Sequence, residues 1–245
     1  EPIKEPTPLV LVTSSPHMHC GLTIGKSMRE VMLALVPAII ASVYYFRMSA
    51  AIVMVTCVVS AIVFETICNK VMHKPNTVQD GSAALTGLLL AMACQLHAAL
   101  FAAMGSMFAI VVGKAVFGGL GCNIFNPAHI GRAILLASFP QQMTNWVLPA
   151  TAAASDAVST ATPLAVMRAT EKIWQAGGAA SAAKLPDLMN LFWGNVGGSL
   201  GETLTGLVLG GLYLIYKKLI DWRIPVFYLV TVAILTGVYG AVMGY

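Results

Sequence analysis

The chain reads as an all-α polytopic integral membrane protein of about seven transmembrane or re-entrant helices. Three observations lead there. Apolar residues make up 58% of the 245 positions and charged residues only 10%, well under the share in soluble domains. The mean hydropathy is +0.79. Apolar runs recur along the chain at about the length that a bilayer demands. Such a composition cannot clothe a water-facing surface, so a soluble fold is excluded.

The spans fall at about Met28–Phe46, Ser49–Cys68, Ser82–Leu96, Ala98–Phe117, Ala128–Phe139, Glu202–Tyr216 and Ile224–Met243. A bilayer helix needs about 20 mostly apolar residues, and the third and fifth runs are short. Short or Gly-interrupted spans predict broken or re-entrant helices, tolerated only where protein or a cavity shields the backbone. Gly118-Gly119-Leu120-Gly121 and Gly197-Gly198-Ser199-Leu200-Gly201 hint at an internal repeat. The chain begins Glu1-Pro2-Ile3-Lys4 without a basic-then-apolar leader, so no cleavable signal is expected. It lacks an initiator methionine and stops at Met243-Gly244-Tyr245, so further residues are expected at both ends.

Charge sets the orientation. With the N-terminus in the cytoplasm and alternating spans, Lys4, Lys26, Arg29, Lys70, Lys74, Lys114, Arg132, Lys217, Lys218 and Arg223 lie on the inner side. Only Arg47, Arg168, Lys172 and Lys184 lie outside, so ten of the fourteen basic residues obey the positive-inside rule. The net charge of +4 suits anionic headgroups better than nucleic acid, which is not an expected partner. The stretch 140–201 then lies outside the membrane. A polar connection this long is usually functional, and after Thr162 it carries a helical pattern with Leu164, Met167, Ile173 and Trp174. No second soluble domain is expected.

The five cysteines, Cys20, Cys57, Cys68, Cys94 and Cys122, form no C-x-x-C pair, so neither an iron–sulfur nor a zinc site is expected. They read as small apolar residues. The histidines lack a haem-attachment context, and His17 and His19 suit a surface tail. Glu65 and Lys114 fall near cytoplasmic ends of spans, where long side chains snorkel, although charges within spans are functional suspects by default. Glu202 reads equally as a helix-start acid and as a group facing a cofactor or ion path. The Gly118–Gly121 run is no dinucleotide loop. Close helix packing and the lining of a flavin or quinone-like cavity, with Asn123 and Asn126 as hydrogen-bonders, are equally open.

The run with most chemical content is Asp156-Ala157-Val158-Ser159-Thr160-Ala161-Thr162-Pro163-Leu164-Ala165. Thr162 suits an N-cap and Pro163 the first helical position. The helix would aim unpaired N–H groups at whatever Thr162 carries, and a phosphate ester there would meet an anion site. Arg168 would add charge. Physics alone favours an ordinary capped helix.

The same run resembles the Asp-x-x-Ser-(Gly/Thr)-Ala-Thr signature at which a transferase attaches FMN through a phosphodiester. Gly81-Ser82-Ala83-Ala84-Leu85-Thr86-Gly87-Leu88-Leu89, the Gly118–Ala128 segment, Ser15-Pro16-His17, Gly201-Glu202-Thr203 and Asp221-Trp222-Arg223-Ile224-Pro225 resemble the D-type membrane component of the Rnf complex. The related B-type component of the sodium-pumping NADH:quinone oxidoreductase shares the fold and the signature. Where the family has a Leu-Pro-Pro turn, this chain has Cys94-Gln95-Leu96-His97.

The resemblance implies a fold of about ten helices in two similar halves, of which about three C-terminal helices would be absent here. It implies FMN covalently bound to Thr162, with Ser159, Thr160 and Arg168 around it, and leaves room for a second, non-covalent flavin such as riboflavin. It implies an electron relay on the external or periplasmic side of the cell membrane, coupled to Na+ or H+ movement. The partners implied are other membrane subunits, including a second covalent flavoprotein, and the lipid bilayer. A flavin-free permease would lack any reason to carry the signature, and a structural anchor without cofactor would lack absorbance in the flavin bands after denaturation.

Overall fold

The computed structural model describes residues 23–94, 99–147, 159–160, 162–175, 187–202 and 204–243. Helix α1 spans Ile24–Val71, 48 residues, and opens where the Thr23 side chain accepts from the Lys26 amide, satisfying one of the first free N–H groups. The first two expected spans are therefore one helical element. It is broken at Arg47, whose φ of 53° and ψ of −139° are not helical. The arms on either side, 24–46 and 48–71, are each about 35 Å long at 1.5 Å per residue, enough for a bilayer core of about 30 Å.

Beyond α1 come α2 (Ser82–Ala93), α3 (Ala99–Ile110), a π-helical turn (Val111–Ala115) and α4 (Pro127–Ser138). The Asn126 side chain accepts from the Ala128 amide and Pro127 occupies the first turn, the arrangement that a missing proline N–H favours. A short α5 (Pro140–Thr144) follows. The two-residue strands β1 (Trp146–Val147) and β2 (Ser159–Thr160) pair antiparallel, the one departure from an all-helical chain among the described residues. Then come α6 (Pro163–Gln175), α7 (Leu188–Trp193), α8 (Leu204–Tyr216) and α9 (Arg223–Met243). The third expected span ends at Ala93, and residues 95–98 lie outside the described ones.

The contacts show that the chain alternates between two ends of a bundle. Gly25, at the start of α1, packs against the backbone of Asp80, and Glu65, near its end, is joined to Asp80 through Lys114 and Ser82. The two arms of α1 are thus an antiparallel hairpin. Met92, at the end of α2, meets Ser42 and Gly201, so α2 runs alongside the first arm. Helix α3 brings the chain back, since Ser106 donates to the Cys57 carbonyl and Lys114 reaches Glu65. Helix α8 descends in the same way: Gly206 packs on Ala38, Gly210 on Ala34, and the Tyr213 hydroxyl donates to Glu30.

Residues 24–30, 65–81, 114–127 and 213–223 therefore share one end, and residues 42–50, 92–94, 139–147 and 200 the other. Lys26, Arg29, Lys70, Lys74, Lys114, Lys217, Lys218 and Arg223 gather at the first, here called the basic end. Helix α5 and strand β1, which follow α4, belong to the opposite, loop end. The positive-charge asymmetry is thus a property of the folded molecule.

The core is built from small side chains. Ala38, Ala50, Cys57, Ala61, Ala83, Ala91, Cys94, Ala102 and Ala109 are all buried, which brings helix backbones close without the apolar driving force that water supplies. A Cβ on Gly206 would lie 2.8 Å from Ala38 Cα, and one on Gly210 would overlap the Ala34 carbonyl. Gly206-x-x-x-Gly210 and Ala34-x-x-x-Ala38 form a small-residue seam between α8 and the first arm of α1. Ser42, fully buried, shares its hydroxyl proton between the carbonyls of Ala38 (2.7 Å) and Leu200 (2.5 Å). Large apolar side chains face outward instead, including Ile40, Val55, Leu209, Phe227, Leu229 and Leu235. An outer surface of that kind is stable against lipid rather than water.

Candidate functional site

Thr162 is half-buried, and its hydroxyl accepts from the Ala165 amide at 3.2 Å while its carbonyl accepts from Val166. It is an N-cap, as expected. Pro163 begins the 13-residue α6, so the N–H groups of the first turn and the positive end of the helix dipole gather around the Thr162 oxygen. An ester at that oxygen keeps a lone pair for the Ala165 amide and adds phosphoryl oxygens beside the N–H of Leu164, since Pro163 has none and Val166 bonds the Thr162 carbonyl. The residues present therefore fit a phosphate-linked group.

The neighbours named from the sequence divide. Ser159 and Thr160 form β2, with backbones opposite Val147 and Trp146; Ala161 lies outside the described residues. Arg168 is exposed on α6. Six residues past Thr162, it stands about 240° around the helix axis at 3.6 residues per turn, so it does not share the threonine's face. Asn123 and Asn126 belong elsewhere. They open α4 at the basic end, and the twelve residues of α4 place about 18 Å between that end and the Trp146 side. Their amides are used locally: Asn123 accepts from Gly121 N and donates to Phe125 O, and Asn126 caps α4.

The glycine run has a conformational cause. Gly118, Gly119 and Gly121 have φ of 113°, 118° and 91°, where a side chain is strained. A Cβ on Gly119 or Gly121 would meet nothing within 4 Å, so helix packing does not explain them. Gly118, Gly119 and Leu120 line a cleft of ≈ 260 Å³ at the basic end, together with Glu65, Thr77, Asp80 and Lys114. The run does line a cavity, and the two asparagines do not. The cleft falls just short of the range of about 300–1,000 Å³ usual for organic ligands.

That cleft exposes what the sequence reading misjudged. Lys114 and Glu65 do not snorkel; their side chains are 5% and 4% accessible and paired at 2.7 Å. Lys114 donates to both Glu65 oxygens (2.8 and 2.7 Å) and to Ser82 Oγ (2.6 Å). Ser82 in turn donates to Asp80 Oδ1, and Thr77 to Glu65 Oε1. All three ammonium protons are placed. The π turn that carries Lys114 re-aims it into the bundle, and such bulges concentrate at functional sites. The available signal was two opposite charges in apolar runs.

Glu202 is exposed and folds back over its own turn, accepting from the Ser199 hydroxyl at 3.1 Å; it does not enter the core. Of the cysteines, Cys57 and Cys94 are buried, Cys68 is partly so and Cys122 is exposed. Ser15, Pro16, His17 and His19 lie outside the described residues.

Apolar helices alternating between a basic end and a loop end, with small residues inside and large ones outside, define a polytopic α-helical membrane protein. The chain belongs to the NQR2, RnfD, RnfE family, whose match covers residues 11–244. It is 45% identical over 238 residues to the D component of the proton-translocating ferredoxin:NAD(+) oxidoreductase complex of Clostridium ljungdahlii, covering 95% of this chain and 70% of that one. It is 42% identical over 228 residues to the D component of the Na(+)-translocating ferredoxin:NAD(+) oxidoreductase complex of Acetobacterium woodii, covering 91% and 67%. It is 38% identical over 249 residues to the D component of the ion-translocating oxidoreductase complex of Rhodobacter capsulatus, covering 92% and 68%. The chain thus spans roughly 70% of the length of these relatives.

Proposed function

We propose that this chain is the D-type component of an ion-translocating ferredoxin:NAD oxidoreductase complex, and that it carries FMN joined through its phosphate to Thr162. The role in the complex rests on the three relatives above, all named as the D component of an ion-translocating oxidoreductase complex and two of them of a ferredoxin:NAD(+) one. The attachment rests on one observation: a half-buried threonine hydroxyl capping α6, within a segment that reads as a flavin-transferase signature. When bound, the isoalloxazine supplies reversible one- and two-electron chemistry; the protein supplies anchorage, orientation and electrostatics. Thr162 provides the ester oxygen. The first turn of α6 holds the phosphoryl charge, and β2 ties the segment to β1.

The basic end faces the cytoplasm in this reading, by the positive-inside rule, so Thr162 lies on the external side of the cell membrane. Cytoplasmic NADH cannot reach it there, which makes the chain a relay between partner cofactors in neighbouring membrane subunits, one of them a second covalent flavoprotein. The relatives from Clostridium ljungdahlii and Acetobacterium woodii are almost equally similar and are named for different ions, so similarity does not choose between H+ and Na+. The cleft at the basic end is too small to enclose a second flavin unaided, and a riboflavin would need a wall from a neighbouring protein.

The experiment is direct. The denatured chain should fluoresce under ultraviolet light in a gel, and Thr162→Ala should abolish the band's fluorescence. Fluorescence that persists in Thr162→Ala and disappears in Thr160→Ala would move the attachment by two residues. A dark wild-type band, from cells that make the transferase, would refute a covalent flavin.

A further inference from the structure

The pairing of β1 with β2 carries a consequence for the flavin site. Trp146 stands directly opposite Thr160 and Val147 opposite Ser159. Thr162 follows Thr160 by two residues, so its Cα lies within about 7 Å of that of Thr160 by chain length alone. Directly opposed residues of an antiparallel pair have Cα atoms about 4.5–5.5 Å apart, so the Thr162 backbone stands within roughly 12 Å of that of Trp146, within reach of a ring carried on the ribityl phosphate arm. Trp146 is half-buried and follows the exposed Thr144 and Asn145, so one part of the indole is covered and another open.

Other aromatics at this end are differently engaged. Phe139 packs on Phe101 with ring centroids 4.7 Å apart, and Phe192 meets Trp193 edge-on at 5.9 Å. Trp146 is tied through strand pairing to Thr160, two residues before Thr162.

We propose that the Trp146 indole is the positioning wall for the flavin ring tethered at Thr162. The inference rests on the covalent-flavin reading and adds the residue that orients the ring. Indole is an electron-rich plane and oxidised isoalloxazine an electron-poor one, so offset stacking between them is favoured. A two-residue ribbon would be marginal by itself, and a ring lying across Trp146 and the Thr162 arm gives it a further reason to persist. The contact favours the oxidised ring over the electron-rich reduced one, and so lowers the potential. It also quenches emission: an excited ring takes one electron from the indole and returns it, with no net change.

The test uses the full chain, flavin attached, purified in detergent. Native flavin emission should be several-fold weaker than the emission of the same amount of denatured chain. Trp146→Phe should raise the native emission several-fold and shift the midpoint potential upward, leaving the denatured band unchanged. Trp193→Phe should alter neither. Native emission and potential unchanged in Trp146→Phe, with a normal denatured band, would overturn the contact and leave the Thr162 attachment standing. A dark denatured wild-type band would remove both. Should Trp146→Phe fail to accumulate, the emission lifetime of the unmutated chain decides: a dominant short component supports the contact, and a decay as slow as that of free FMN overturns it.

Discussion

Lys114 on the π turn places its ammonium 2.7 Å from Oε2 of Glu65, and both side chains are almost completely buried. The pair joins α3 to the end of the α1 hairpin and, through Ser82 and Asp80, to the start of α2. Three passes of the chain are thereby locked together at the basic end. Two opposite charges in this setting are mutually dependent, because each without the other is an uncompensated charge in a low-dielectric interior.

Breaking the pair should therefore cost more than deleting it. Glu65→Gln or Lys114→Met alone should destabilise the detergent-solubilised protein by about 3–5 kcal/mol. The double substitution Glu65→Gln with Lys114→Met should recover much of that loss. Thermal unfolding of the four proteins would show it as a strongly non-additive cycle; additive losses would mean that the two charges do not depend on each other.

Close approach along the α1–α8 seam predicts a steric series. Gly206→Ala should destabilise measurably and Gly210→Val more, by about 1–3 kcal/mol for overpacking, because the added carbons meet Ala38 Cα and the Ala34 carbonyl. Gly237→Ala on α9, where nothing lies within 4 Å, should be neutral. Heat-induced aggregation of the three variants in one detergent is the measurement.

The two ends of the bundle should label from opposite sides. Cys122 is exposed at the basic end, so a membrane-impermeant maleimide should reach it only after permeabilisation. In a Cys122→Ser background, Gln142→Cys at the loop end should label in intact cells. Labelling of Cys122 from outside would reverse the topology, and with it the assigned side of Thr162. Ser181, a second external probe by the charge pattern, lies outside the described residues.

Relay behaviour has its own signature. The isolated chain with its flavin attached should be reduced by dithionite and negligibly by NADH. Within the complex, Thr162→Ala should stop electron flow and ion transport together, while cytoplasmic subunits still react with their own donors. Rapid NADH reduction of the isolated chain, or transport surviving the substitution, would end the relay account.

The sequence by itself determined the class, the approximate passes, the charge asymmetry and the cap at Thr162. Each of these is local: hydropathy acts over one span, and an N-cap with a following proline needs only consecutive residues. Tertiary structure decided what depends on contacts between distant segments. The first two spans became one hairpin because Arg47 alone leaves helical φ/ψ. Lys114 and Glu65, 49 residues apart, proved to be a buried pair rather than two snorkelling ends. Asn123 and Asn126 lie away from Thr162 because α4 stands between, while Trp146 is paired to Thr160, two residues before Thr162, through a two-residue ribbon that carries no hydropathy signal. Side-chain partners across the bundle are set by which helix faces meet, and no periodicity within a single helix encodes that.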